Sequence, residues 1–208
     1  MKKTILISVV ILNLFSFDCD AQSTKRNTNS FDNEKLLKIN QIQILGTHNS
    51  YKKIMDPNVM QLIAPMMDKM MGHYLKSMDS VKASKYKEYH PNEVSFAESL
   101  NYEFPVFEDQ LDAGIRSLEI DVYHDPTGNR FNRPVPYTIL KEKGVENLLS
   151  FDSIVLKAPG FKVQHISDID FRTNYSTFEE ALLSLKKWSL AHPQHVPIFI
   201  MIETKDQG

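Results

Sequence analysis

Four short apolar runs constrain the fold of this chain more than any other feature of its sequence. They cover residues 41–51, 115–122, 161–165 and 197–205. Each run is rich in β-branched or aromatic residues and contains or ends in a histidine, an asparagine or a carboxylate. Runs of this length predict β-strands, and a strand that is apolar on both faces, such as the fourth, is typical of a buried parallel sheet.

Helix signals lie between the strands. Ser or Thr at residues 176–177 precedes Glu at 179–180 by three positions, which is a capping box, and apolar residues then recur at helical spacing until His192-Pro193. Residues 107–113, followed by a glycine, predict a shorter helix that leads into the second strand. This alternation predicts a parallel α/β architecture with polar groups at the carboxyl ends of the strands, as in a β/α barrel.

Two carboxylates share one face of the second strand. Glu119 and Asp121 are two residues apart, so both point away from the alternating apolar residues between them. Burying both costs free energy unless a cation lies between them. Arg116 or Lys162 could supply that cation, or a metal ion could. Glu203, at the end of the fourth strand, would carry the same free-energy cost if it were buried without a cation.

Oxygen ligands without cysteine indicate a hard ion, Ca²⁺ first and Mg²⁺ as the alternative, and the carboxamide of Asn49 suits calcium. His48 and His165 complete a set that fits phosphodiester cleavage. One imidazole can protonate the leaving alcohol, the other imidazole and the metal can stabilise charge on the phosphorus oxygens, and a carboxylate can accept the proton of the nucleophile. A single strand-end histidine would be much weaker evidence, because such residues are commonly structural.

These motifs together resemble the phosphatidylinositol-specific phospholipase C superfamily, most closely its secreted bacterial, calcium-dependent branch. The matching segments are Gly46 to Tyr51, Gln110 to Val122, His165 and Ile202 to Lys205, within residues 40–208, and they resemble the first four strands of that family. The resemblance implies a TIM-type barrel and a phospholipid substrate such as phosphatidylinositol. It also implies a cyclic inositol phosphate as product, which water opens in some members.

The resemblance also assigns roles to individual residues. His48 would stabilise the phosphorane, and His165 would be the general acid toward the diacylglycerol leaving group. The calcium ligands implied are Asn49, Glu119, Asp121 and Glu203. Glu119 or Glu203 would double as the base for the inositol 2-hydroxyl.

The length of the chain departs from the family pattern. A barrel of this type has eight strands and about 250 residues, whereas Gly208 is only five residues beyond Glu203. We therefore expect a product truncated at about half a barrel, with four strands, an open parallel edge and a tendency to aggregate.

The first 21 residues are predicted to be a signal peptide. A basic start precedes a mostly apolar run over residues 4–17, and cleavage is expected before Gln22. The mature protein would then be secreted or periplasmic. Lipid anchoring through Cys19 is disfavoured, because the bulky and charged residues just before it do not suit that processing. Residues 22–35 are polar and predict a flexible lead-in, so the phosphodiesterase domain is expected over residues 36–208.

The charge and composition of the chain limit the classes of partner that it can bind. With 24 Lys plus Arg, 26 Asp plus Glu and a net charge of -2, the chain has no basic surface run for nucleic acid, and no motif implies a protein partner.

Seven of the nine methionines lie in residues 55–78. We interpret this stretch as a helix packed on the barrel, with a lipid-facing lid as the alternative. Residues 82–87 carry lysines that suit a solvated face or a peripheral contact with anionic phospholipid.

Two other functions remain open at this point. Glycerophosphodiester phosphodiesterases are related barrels with a Glu-x-Asp metal pair, but their first histidine is typically followed by arginine, where this chain has Asn49. A non-catalytic lipid or sugar binder on a degenerate or truncated barrel is the third candidate. That hypothesis leaves the two histidines and three carboxylates unexplained.

Overall fold

The computed structural model describes residues 38–91 and 95–205. The predicted signal peptide, Cys19 and the predicted lead-in over residues 22–35 lie outside the described residues. The chain divides into two units, residues 1–43 and residues 44–208. The described part of the first unit contains one 3₁₀ turn, Ile39–Gln41.

A small mixed sheet lies at the centre of the second unit. Its strands within the described residues are β1 (Gly46–Thr47), β2 (Ser117–Asp125), β3 (Gly160–Val163) and β4 (Phe199–Lys205). β2 is the central strand and pairs in parallel with both β1 and β4. The parallel arrangement predicted for these three strands is therefore confirmed, and it is compatible with part of a β/α barrel.

The third strand corrects the prediction of four parallel strands. β3 runs antiparallel to β2, with Val163 opposite Val122 and Gly160 opposite Asp125. Because β4 already pairs with β2 along residues 117–123, β1 and β3 share the other edge of β2. The sequence pattern failed here because alternating side chains define the faces of a strand but not its direction.

Six α-helices lie in the described residues: α1 (Pro57–Ser77), α2 (Ser80–Tyr89), α3 (Phe96–Ser99), α4 (Phe107–Asp112), α5 (Val135–Glu142) and α6 (Phe178–Ala191). The two predicted helices are confirmed as α4 and α6. α6 begins at a complete capping box, in which Thr177 Oγ1 accepts from Glu180 N at 3.1 Å and Glu180 Oε2 accepts from Thr177 N at 3.1 Å. None of the helices in these ranges has the length and apolar character that crossing a bilayer requires.

The core has two main parts. In the first, α4 and α6 pack against β2, and α6 contributes Ala181, Leu185 and Trp188. In the second, the methionine-rich stretch forms α1, which buries one face through Val59, Ile63 and Met67. The interpretation of this stretch as a packed helix is therefore confirmed. Its other face is open to solvent and carries the exposed side chains of Met66, Met70 and Tyr74.

β4 differs from its sequence prediction in burial. The pattern predicts a fully buried strand, yet Met201 is 57 % exposed and Ile202 is 49 % exposed. Among the described residues, β4 pairs only with β2 and therefore has one unpaired edge. Its apolar side chains consequently reach solvent, although the backbone register with β2 is regular from Ser117–Phe199 to Tyr123–Lys205.

Candidate active site

The turn after β1 carries the first two candidate residues and is fixed to β2. Gly46 lies so close to β2 that a Cβ atom on it would be 2.8 Å from the Cβ of Ser117. The chain then turns sharply through Asn49, whose φ is +52°. Ser50 anchors the turn, because its Oγ accepts from Glu119 N at 2.9 Å and its N donates to Glu119 O at 3.1 Å.

Gln110 holds the same turn from the opposite side. This buried α4 side chain donates from Nε2 to Ser50 O at 2.7 Å and accepts at Oε1 from Thr47 Oγ1 at 2.8 Å. Gln110 belongs to the motif quoted above, but sequence reasoning gave it no role. Nε2 also donates to the nearby Pro105 O at 2.7 Å, but the contacts with Ser50 and Thr47 are with groups far away in the chain. No local sequence pattern predicts those distant contacts.

The structure brings together the three carboxylates predicted as metal ligands. Oxygen atoms of Glu119, Asp121 and Glu203 all lie within 4.8 Å of one another. The parallel register of β2 and β4 causes this, since Asp121 is directly opposite Glu203 and Glu119 is two residues earlier on the same face of β2. We call these three residues the carboxylate cluster.

Asn49 and His48 border the carboxylate cluster. The backbone N of Asn49 donates to Glu119 Oε2 at 2.9 Å, and its side-chain oxygen accepts from the Tyr51 hydroxyl at 3.2 Å. His48 Nε2 lies 3.4 Å from the same Glu119 oxygen. Asn49 is buried, whereas the His48 side chain is 72 % exposed and so is open to a ligand arriving from solvent.

Lys205 contacts the carboxylate cluster directly. Its Nζ lies 2.6 Å from Glu203 Oε1 and 3.0 Å from Asp121 Oδ2. Burial of its ammonium lowers the pKa of Lys205, but the two carboxylates outweigh burial, and the pKa is raised overall. Lys205 stands two residues after Glu203 and thus on the same side of β4. That spacing is the sequence signal that could have identified it.

The buried Asp121 is poorly compensated. It is fully buried, and neither of its oxygens receives a hydrogen bond of good geometry from the part of the chain that the structure describes. Burial raises the pKa of Asp121, the Lys205 ammonium and the Tyr51 hydroxyl oppose this only in part, and the charge of Glu203 adds to the increase. Three converging carboxylates thus face one ammonium. An all-oxygen set with this excess negative charge fits a hard divalent cation such as Ca²⁺.

His165 belongs to a second charged group, which we call the Asp170 network. Its Nδ1 is 2.9 Å from Asp170 Oδ2, and Lys52 Nζ is 3.2 Å from the same oxygen. The side chains of Asp170 and Lys52 are fully buried, and that of His165 is 17 % exposed. Asp170 is five residues after His165, and a tight turn brings its carboxylate back to the histidine. An isolated antiparallel β-bridge between Ile166 and Asp170 closes this turn.

Sequence reasoning missed Asp170 and Lys52. The signal available for Asp170 was chemical, because a functional histidine usually needs an orienting acceptor on its second ring nitrogen, and a nearby carboxylate is the obvious candidate. Lys52 gave no such signal. Its ammonium is held by Asp170 and by the carbonyls of Leu100 at 2.7 Å and Tyr102 at 2.8 Å, and burial lowers its pKa.

Tyr102 connects the two groups. Its hydroxyl accepts from Asn49 Nδ2 at 2.8 Å, on the side of the carboxylate cluster. Its ring lies under the Lys52 ammonium, 4.5 Å from Nζ to the ring centre, on the side of the Asp170 network. Burial raises the pKa of the Tyr102 hydroxyl, so this residue stays neutral between them.

The fold and these side chains define an α/β protein with an acidic, histidine-containing site on its parallel strands. A family model described as calcium-dependent phosphoinositide phospholipase C matches residues 73–208. This match spans more than half of the chain, and the chain therefore belongs to that family. The matched residues include Glu119, Asp121, His165 and Glu203, while the His48 turn precedes them. No curated protein and no solved structure shows a significant match.

Proposed function

We propose that this protein is a calcium-dependent phosphoinositide phospholipase C that cleaves the glycerol–phosphate bond of an inositol phospholipid. One observation carries the proposal. The strand register of a chain from this family gathers the Glu119–Asp121–Glu203 carboxylate cluster next to His48 and Asn49. Neither a structural core nor a simple ion pair requires that combination of acidic, amide and imidazole groups.

The carboxylate cluster and Asn49 would hold the calcium ion, with Mg²⁺ as the alternative. Bound calcium would supply Lewis-acid activation of the inositol 2-hydroxyl and charge stabilisation at the phosphate. The donor set supports this assignment, because the carboxylates converge and the buried oxygens of Asp121 lack hydrogen-bond donors of good geometry among the described residues. Glu203 is about half exposed and can accept the 2-hydroxyl proton, with Glu119 as the alternative base.

His48 would donate a hydrogen bond to a non-bridging phosphate oxygen as negative charge develops there. Its side chain is the most exposed of the candidate groups, so a phosphate at the surface can reach it. The neighbouring Glu119 oxygen, 3.4 Å from Nε2, restrains the ring. Donors held in place before the reaction stabilise the transition state more than donors that must reorient.

His165 would be the general acid. Asp170 accepts the Nδ1 proton, which fixes the orientation of the ring and leaves Nε2 to deliver its proton to the departing diacylglycerol oxygen. Attack by the inositol 2-oxygen forms the new phosphorus–oxygen bond as the bond between phosphorus and the glycerol oxygen breaks. The carboxylate base holds the 2-hydroxyl proton afterwards, so the charges balance.

The test is cleavage of phosphatidylinositol in vesicles, measured as water-soluble inositol phosphate with calcium and with a chelator. We expect activity only with calcium, and His48→Ala or His165→Ala should each reduce it about 10²- to 10⁴-fold. His73→Ala, which removes an exposed histidine on α1, is the matched control and should leave activity unchanged. Preference for glycerophosphoinositol would indicate the related diesterase instead, and calcium binding without any turnover would indicate a binding protein.

We propose that the mature enzyme begins at Gln22 and acts outside the cytoplasm at a membrane surface. The proposal rests on the basic start and apolar run of residues 1–21, and on the lipid substrate of its family. Amino-terminal sequencing of the exported protein tests the first part. Sedimentation with vesicles tests the second, and replacing the exposed Met66 and Met70 of α1 with serine should weaken the association.

A further inference from the structure

Lys205 occupies the space between two of the three carboxylates. Its ammonium contacts Glu203 at 2.6 Å and Asp121 at 3.0 Å, so it bridges β4 and β2 across their parallel register. Asp121 is fully buried, and within the described residues its oxygens receive no hydrogen bond of good geometry, although the Tyr51 hydroxyl also acts on this carboxylate. The Lys205 ammonium is therefore the positive charge that lies against the buried carboxylate of Asp121.

An ammonium and a calcium ion cannot hold these oxygens at the same time. Calcium binds carboxylate oxygens at about 2.3–2.6 Å, which is as close as the ammonium now stands to Glu203. Two cations at contact with the same pair of oxygens would also repel each other strongly. A metal ion that engages Asp121 Oδ2 and Glu203 Oε1, the two oxygens that the ammonium contacts, must therefore move Lys205 away.

The lysine has a route out. Its side chain is 22 % exposed, and it stands at the last residue of β4. Four methylene groups let the ammonium swing into solvent while the backbone keeps its pairing with Tyr123. Neither strand has to move for the exchange.

We propose that Lys205 is a built-in counter-ion that competes with calcium for Asp121 and Glu203, so that metal binding exchanges one cation for the other. The inference rests on the proposed function for the assignment of the carboxylates as metal ligands. It adds that Lys205 sets the calcium affinity. In the absence of metal, Lys205 keeps the carboxylate cluster assembled, and in its presence the ammonium is released to solvent.

The first experiment is calorimetric titration of the full chain with calcium alone, without lipid. Lys205→Met keeps the length of the side chain and removes its charge, and it should raise calcium affinity about tenfold or more. Lys85→Met is the matched control, because it removes an exposed lysine of α2, and its affinity should stay within about twofold of the wild type. Unchanged or weaker calcium binding by Lys205→Met overturns the proposal.

A second experiment uses the wild-type protein and does not depend on the folding of a variant. Lysines are acylated briefly with and without calcium, and the modified positions are quantified by mass spectrometry. Calcium should increase the labelling of Lys205 several-fold and leave Lys85 unchanged. Protection of Lys205 or no change would overturn the exchange.

Both experiments omit substrate, so their failure is distinguishable from failure of the proposed function. If calcium binds but Lys205 neither competes nor becomes more reactive, the inference is wrong and the vesicle assay still decides the phospholipase activity. If neither the wild type nor Lys205→Met binds calcium, the inference is wrong together with the assignment of the metal ligands.

Discussion

The Asp170 network and the carboxylate cluster are built on opposite charge balances. In the network, one buried carboxylate faces the one buried ammonium of Lys52, and both belong to the described core. In the cluster, three carboxylates face the single ammonium of Lys205, and Glu203 remains half exposed. The Asp170–Lys52 pair is neutral by itself, while the carboxylate cluster carries an excess of negative charge.

This difference shows how one site can combine two tasks. Within the network the charges of Asp170 and Lys52 compensate each other, so folding alone orients the His165 ring against Asp170 Oδ2. The cluster does not, and its remaining negative charge is available to a cation from solution. Orientation of a proton donor needs rigidity, whereas reversible metal binding needs a charge that the fold leaves incompletely paired.

The largest expected effect comes from breaking the balance of the network. Asp170→Asn would leave the Lys52 ammonium buried without its charged partner, and we expect a loss of about 3–5 kcal/mol in the free energy of unfolding, measured with urea. Asp79→Asn is the matched control, since it breaks an exposed ion pair with Lys82 and should cost less than about 1 kcal/mol. Similar losses in the two variants would contradict the proposed difference.

Calcium should act on the cluster alone. At a concentration about 100-fold above its Kd, a ligand that binds only the folded state adds about 2.7 kcal/mol to the free energy of unfolding. We expect that gain in the wild type and its near-complete loss in Asp121→Asn, measured by thermal unfolding with calcium and with a chelator. Asp68→Asn on α1 is the control and should respond to calcium as the wild type does. An equal gain in Asp121→Asn would remove Asp121 from the metal site.

A substitution in the turn between β1 and the carboxylate cluster should have an intermediate effect on the free energy of unfolding. Ser50→Ala removes the acceptor for the buried Glu119 N and should cost about 2 kcal/mol, measured by urea unfolding. Ser77→Ala is the comparison, because the Ser77 hydroxyl is exposed and donates only to Tyr74 O. Its effect should stay below about 0.5 kcal/mol. No destabilisation in Ser50→Ala would show that the turn does not depend on this contact.

The smallest expected effect has the opposite sign. With calcium chelated, Asp121→Asn removes a poorly compensated charge and should raise the free energy of unfolding by about 1 kcal/mol. Because the pKa of Asp121 is raised in the folded state, the wild-type penalty is present at neutral pH. It should disappear as the pH falls through that raised pKa toward about 3.9. A gap between wild type and variant that widens on acidification would contradict this account.

The sequence predicted the residues of the carboxylate cluster well, for a physical reason. Glu119 and Asp121 share a face by the two-residue strand period, and parallel pairing with the last strand brings Glu203 beside them. Strand period and chain order are both visible in a sequence. The exposure of β4 was not, because burial depends on which elements cover a strand, and periodicity carries no such information.

The Asp170 network could not be predicted in the same way. β3 was expected to run parallel to β2, and its antiparallel direction depends on how the connection over residues 126–159 folds. Lys52, Asp170 and Tyr102 come from three separate segments, and their contacts depend on that geometry. Local patterns describe elements, whereas this network is a property of their assembly.

Gly46 has a consequence for the chemistry although it carries no side chain. Because Gly46 has no Cβ atom, β1 can lie close to Ser117 of β2, and this close approach sets the position of the turn that follows β1. Substitution by alanine would push β1 outward and carry the imidazole of His48 and the amide of Asn49 with it. Displacements of about 1 Å can cost about 10²-fold in rate. The positions of His48 and Asn49 in the site therefore depend on Gly46, a residue that contributes no functional group.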